Sequence, residues 1–186
     1  MAQFSLGGMV FGRNPLIKSI QYGDVRISGI ENGNTATINA VVLENSILLQ
    51  NGQTCSGSGS YAMRSDFVMY ELTDETTVTA TREHSGSDTN VIAQFCIVEF
   101  HTGVLKSNQS GTIDLTSATT NTATITAVDT NKTMILWLGT TNSDIYEEAR
   151  KAHANLVLTN STTITATRII ADSSAHFTSY QAVEFY

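Results

Sequence analysis

Residues 34–41 read NTATINAV and residues 121–128 read NTATITAV, identical at seven of eight positions at an offset of 87. In both, Ala36, Ile38 and Ala40, or Ala123, Ile125 and Ala127, alternate with polar neighbours. That period of two turns every second side chain onto one face of a β-strand. The match extends outward in both directions. TTVTATR at 76–82 returns as TTITATR at 162–168, an offset of 86, and Val98-Glu99-Phe100 returns as Val183-Glu184-Phe185, an offset of 85. Upstream, Lys18-Ser19-x-Gln21-x-Gly23 returns as Lys106-Ser107-x-Gln109-x-Gly111, an offset of 88. An offset that falls stepwise along the chain is what loops give when each has lost a residue in a second copy of one unit. The chain therefore reads as a tandem duplication.

The remaining elements are β-like as well. Val25 and Ile27, like Ile113 and Leu115, alternate with polar residues. The runs 46–49 and 134–138 are continuously apolar and close on Gly52 and Gly139, the pattern of strands buried on both faces. Further strands are expected over 67–72, 153–158, 95–100 and 180–185. Residues 142–155 contain good helix formers, but their counterpart around 60–66 would hold at most one turn, so an extended strand is expected in both copies. The fold class is all-β: two tandem antiparallel β-sandwich repeats, residues 16–100 and 104–186, behind a short N-terminal arm of residues 1–15. Each unit is small for independent folding, and a join of three residues, 101–103, holds the two in a fixed relation.

Composition agrees. Among 186 residues there are 27 threonines and 18 serines against ten Lys plus Arg, with one proline and a net charge of −7. The negative charge is spread over both halves without a run. No basic patch suits a phosphate backbone, and neither an apolar run long enough to span a bilayer nor a leader pattern occurs, so nucleic acid and membrane partners are not expected. Two cysteines cannot build a disulfide framework. Cys96, in the apolar run FCIVEF, is expected to pack as a small hydrophobe, and Cys55 to remain a second reduced thiol.

Candidate chemistry is sparse. His84, His101, His153 and His176 lack the spacing of a metal site and read as surface or loop residues, and no serine sits in a nucleophile elbow. Glu99 and Glu184 recur at one place in both copies. They are expected to pair with Arg82 and Arg168 on the preceding strands as a structural device rather than to act as an acid and a base. Trp137, mid-strand, is expected in the core. The sequons at Asn108, Asn131 and Asn160 are expected to be incidental. No catalytic residue, cofactor or metal ligand is expected, and the chain is not expected to be an enzyme.

The second copy also carries a resemblance. Lys106-Ser107-x-Gln109-Ser110-Gly111, then NTATITAVDTNKTMILWLG over 121–139, LTNSTTITATR over 158–168 and the closing strand 179–185 resemble a β-domain repeated in bacteriophage virion proteins. In that domain a "VQSG" strand opens the unit and a "SWQVVEF" strand closes it. The first copy departs from it at Val41–Glu44 and at Gln94–Cys96. The arrangement is also similar to H-type lectins, which are trimeric β-sandwiches. The resemblance implies a virion structural protein on the capsid surface, a homotrimeric capsid decoration (cement) protein whose partners are itself and the major capsid protein. The alternative it implies is a tail fibre or receptor-binding module that holds host glycan. Phe4, Met9, Val10 and Phe11 in the arm are expected to contact a sister subunit or the capsid. Burying four such side chains would contribute about 6–10 kcal/mol before the entropy of ordering the arm is subtracted.

Overall fold

A computed structural model of the chain describes residues 16–56, 66–83, 89–143 and 153–186. The arm with Phe4, Met9, Val10 and Phe11, as well as His84 and the helix-forming stretch 144–152, lies outside the described residues. The first unit contains β1 (Ile17–Ile27), β2 (Gly33–Thr37), β3 (Ser46–Cys55), β4 (Met69–Asp74), β5 (Thr77–Thr81) and β6 (Val91–Phe100), with one 3-10 turn, Leu43–Asn45. The second contains β7 (Leu105–Asp114), β8 (Thr120–Thr124), β9 (Thr133–Asn142), β10 (Asn155–Asn160), β11 (Thr163–Thr167) and β12 (His176–Phe185).

All pairings are antiparallel, and the strand order runs the same way twice. Strands β1-β6-β3 and β8-β11-β10 form two three-stranded sheets, and β2-β5-β4-β9-β12-β7 a six-stranded one whose halves, β2-β5-β4 and β7-β12-β9, complete the same strand order in each unit. The alternating residues explain the layers. Val25, Ile27, Leu48, Tyr70, Val78, Ala80, Phe95 and Ile97 fill the first sandwich. Ile113, Leu115, Ile125, Ile164, Ala166, Tyr180 and Ala182 fill the second.

The run 46–49 does bury both faces, whereas in 134–138 only Leu138 is buried, Met134 to Leu136 are half-buried and Trp137 is exposed. Leu48 points into the first sandwich, while Ile47, Cys96 and Val98 point the other way and meet Leu105 and Val183 in a third core between the units. Phe100 and Phe185 close that core edge to face, 6.1 Å apart. Among the described residues, a single backbone pairing, Met69 of β4 with Gly139 of β9, joins the first unit's half of the six-stranded sheet to the second unit's half.

Gly52 and Gly139, the residues that end the apolar runs, both take left-handed backbone angles, φ +95° and +99°. That conformation costs a residue with a Cβ about 1–2 kcal/mol. The two differ in their surroundings. A Cβ on Gly52 would meet nothing within 4 Å, whereas one on Gly139 would lie 2.0 Å from the Val68 carbonyl oxygen of the first unit.

Candidate functional site

The residues shared by the two copies form the same polar scaffold in each unit. Lys18 donates to Glu99 at 2.7 Å, and Lys106 to Glu184 at 2.7 Å. The same carboxylates accept the backbone N–H of Val42 at 3.0 Å and of Asp129 at 2.9 Å. Burial pushes the Glu99 carboxyl up, but Lys18, the Val42 amide and Ser19 outweigh it and hold it below the usual carboxylate value. Lys106 and the Asp129 amide hold Glu184 low against its burial, and Glu184 in turn raises Lys106.

Arg82 and Arg168 are therefore not the partners of these glutamates, contrary to expectation. Each lies at the end of the middle strand of the other sheet and clamps the turn that follows the opening strand. Arg82 Nε donates to Glu31 O at 2.9 Å and Nη2 to Ser28 O at 2.6 Å. Arg168 Nε donates to Ala118 O at 2.9 Å and Nη2 to Leu115 O at 2.8 Å.

Gln21 grips the backbone after β2 with both ends of its amide, donating to Asn39 O at 2.9 Å and accepting from Asn39 N at 2.8 Å. Gln109 repeats the grip on Thr126, at 3.1 and 2.7 Å. Gly23 leaves room for Phe95, and Gly111 for Tyr180. A Cβ at these positions would stand 2.5 Å from Phe95 Cζ and 2.8 Å from the Tyr180 hydroxyl. The Lys, Gln and Gly of the repeated frame thus have the same architectural task in both copies, whereas Ser19 donates to Glu99 Oε2 at 3.0 Å and Ser107 accepts from Gln109 Nε2 at 3.0 Å.

Two further expectations are corrected. Trp137 is not in the core: it is 40% exposed, and its indole Nε1 donates to Thr178 Oγ1 at 3.0 Å. It lies on β9 two residues before Gly139, at the one position of that strand whose side chain is exposed. His176 is not a surface or loop residue. It is fully buried at the start of β12, with Nε2 2.8 Å from Thr140 Oγ1, which supplies the polar contact that makes burial tolerable. His101 and His153 are exposed, and the His153 ring meets Phe67 of the first unit edge-on at 5.3 Å. Cys96 is buried and Cys55 exposed, both as free thiols.

Asn108 and Gln181 carry the contact between the units, a role the sequence reading did not give them. Edge strand β3 turns unpaired backbone groups toward the outer face of the β7-β12-β9 sheet. Ser46 O accepts from Asn108 Nδ2 at 2.7 Å and from Gln181 Nε2 at 3.0 Å, while Leu48 N donates to Gln181 Oε1 at 3.0 Å. Asn108 Nδ2 also reaches Leu43 O at 2.9 Å, and Gln181 Nε2 reaches Asn108 Oδ1 at 2.9 Å. Side-chain amides here do the work of a neighbouring strand in satisfying a sheet edge. Between this edge and Ser110, Gly111 and Ser179 lies a cavity of about 60 Å³ lined also by Tyr70 and Glu71, room for water and not for a sugar ring.

Among the described residues, no cluster of three or more His, Cys, Asp or Glu is arranged to hold a metal ion, and no helix is long and apolar enough to cross a membrane. Comparison with protein-family models, curated proteins and solved structures returned no match. Among the described residues, the most exposed large apolar side chains on strands are Tyr22 at 74%, Val157 at 53% and Ile20 at 48%.

Proposed function

We propose that the chain is a non-enzymatic virion structural protein, a homotrimeric capsid decoration protein that binds the major capsid protein on the head surface. The observation that carries the reading is the use made of the repeated polar residues. Lys18, Gln21, Arg82 and Glu99, with Lys106, Gln109, Arg168 and Glu184, are polar groups that the two copies share, and each is engaged in bracing a sandwich. The amide-sealed joint between the units supports the same reading, since it makes a stiff body suited to bridging neighbours on a lattice. The resemblance of the second copy to a phage virion β-domain supplies the class of particle.

The test is to mix the purified chain with undecorated capsids, sediment them and image the product. Density over the head is expected. Absence of co-sedimentation, with density confined to the tail tip of assembled particles, would overturn the reading. Deleting residues 2–12 is expected to abolish capsid binding while leaving the folded body intact, because Phe4, Met9, Val10 and Phe11 are assigned to the contact; undiminished binding would remove the arm from it.

Trp137 favours a second reading. A half-exposed indole fixed by Thr178 is the kind of platform on which a sugar ring stacks, as a receptor-binding tail module holding host glycan would need. Binding to a glycan array that is lost in Trp137→Ala would move the assignment to that module.

A further inference from the structure

The chain holds two Asn-Gly pairs, Asn32-Gly33 and Asn51-Gly52. Asparagine is among the thermolabile side chains, and it is most labile before glycine, whose lack of a Cβ lets its backbone nitrogen reach the asparagine side chain. That approach requires the asparagine backbone to turn, so the two pairs differ by how firmly the sheets hold them.

Asn32 leads into β2. Its carbonyl oxygen accepts from Arg82 N at 2.7 Å, Asn34 Nδ2 donates to Arg26 O at 2.8 Å, and Gly33 stands opposite Thr81 in the β2–β5 pairing. A Cβ on Gly33 would lie 2.9 Å from the Ala80 carbonyl oxygen. Turning Asn32 therefore breaks a short backbone hydrogen bond in a closely packed place.

Asn51 and Gly52 stand in a bulge of β3. The pairing with β6 sets Gln50 opposite Phe95 and Gln53 opposite Ala93, and passes over the two residues between them. A bulge interrupts the ladder locally, and nothing else crowds this one. Both residues are exposed, and a Cβ on Gly52 would meet nothing within 4 Å. The second unit has a matching bulge, where β9 sets Trp137 opposite Tyr180 and Thr140 opposite Thr178 and passes over Leu138 and Gly139. There Leu138 is buried and Gly139 lies against the Val68 carbonyl. The bulge is packed in the second unit and open in the first, and the labile residue stands in the open one.

The geometry points to Asn51 as a site of spontaneous covalent modification in the folded chain, with Asn32 preserved. Gly52 N attacks Asn51 Cγ. The N–Cγ bond forms, the Gly52 amide proton passes through solvent to the side-chain nitrogen, that nitrogen leaves as ammonia, and a cyclic imide remains. Water then adds to one of the two imide carbonyls, giving its hydroxyl to the carbon and a proton to Gly52 N as that C–N bond breaks. Opening at Cγ gives aspartate; opening at the backbone carbonyl gives isoaspartate, in which the chain runs through Cγ. Either product adds a negative charge beside Gln50, whose Nε2 donates to Trp137 O of the second unit at 3.1 Å, so the conversion falls on a strand that touches the joint.

The full chain is incubated in warm, mildly alkaline buffer, once folded and once in urea, and sampled over time by peptide mapping with mass spectrometry. Isoaspartate is counted by methyl transfer from an isoaspartyl methyltransferase. In the folded chain the peptide with Asn51 is expected to change from amide to acid and to accept methyl groups, while the peptide with Asn32 keeps its amide; in urea both are expected to convert. Asn51→Gln is expected to abolish methyl acceptance by the folded chain. Retention of both amides in the folded chain overturns the proposal, because the bulge would then protect Asn51 as the sheet protects Asn32. Equal conversion of the two in the folded chain also overturns it, since their different places in the sheets would decide nothing. Methyl acceptance that persists in folded Asn51→Gln puts the isoaspartate elsewhere and overturns the assignment to Asn51.

Discussion

The two sandwiches agree where they fold and differ where they meet. The ion pair, the double grip of the glutamine, the arginine clamp and the glycine opposite an aromatic ring recur at matching positions in both units. The outer faces diverge: Asn108 and Gln181, which hold the joint, stand where the first copy has Ile20 and Cys96. Agreement between the copies therefore marks what each sandwich needs to stand. Difference marks what each surface touches, a signal that a search for conserved-looking chemistry passes over.

The largest effect should separate the two left-handed glycines. Gly52→Ala carries only the strain of its backbone angle, about 1–2 kcal/mol. Gly139→Ala carries that strain and also drives a methyl into the Val68 carbonyl, where neither strand can yield without breaking the Met69–Gly139 pairing. Overpacking of this kind adds about 1–3 kcal/mol. Urea unfolding should show a clearly lower midpoint for Gly139→Ala than for Gly52→Ala. Equal midpoints would mean that the joint between the units contributes little to stability.

Next in size is the ion pair of a half-exposed lysine with a buried glutamate, for which the copies should behave alike. Replacing Glu99 by Ala strands the Val42 amide and the Ser19 hydroxyl and should cost about 1–3 kcal/mol; Glu184→Ala should act in the same direction. Both carboxyls titrate below the ordinary 4.5 in the folded chain. Their contribution is therefore complete above that value and is lost as pH falls through the lower, folded-state value. Unfolding midpoints taken from neutral pH downward should fall in this acid range for the wild type, and by less in Glu99→Gln. An acid limb unchanged in Glu99→Gln would assign it to other carboxylates.

Strand identities were legible because the duplication allowed each segment to be read twice. The run 134–138 clarified 46–49, and the weak helical signal in 142–155 was checked against its counterpart. Pairing between strands was not legible. Sequence order sets Arg82 beside Glu99 because β5 precedes β6, but the chain crosses between sheets there, and β6 pairs instead with β1, some eighty residues away. The Lys18 and Ser19 that brace Glu99 were visible as a motif without a visible partner. Trp137 misled because an apolar run says nothing about which end of it the sandwich covers. His176 misled because its burial depends on Thr140, a contact between distant strands. Asn108 reads in the sequence as a sequon and Gln181 as one residue of the closing strand; the signal that marks both is their contrast with Ile20 and Cys96 in the first copy.

The finest test of the comparison exchanges one residue between the copies. Asn108→Ile puts the first unit's residue into the covered face, where it leaves Leu43 O, Ser46 O and the Gln181 amide short of a partner. A few lost neutral hydrogen bonds at a partly buried edge should cost about 1–2 kcal/mol. The reverse exchange, Ile20→Asn, puts an amide on a face open to solvent within one chain and should change the stability of the separated chain by no more than about 0.5 kcal/mol. The pair is measured by urea unfolding in dilute solution, where association does not contribute. A large cost for Ile20→Asn under those conditions would show that Ile20 is already packed within its own chain, and the two faces would then differ in sequence without differing in role.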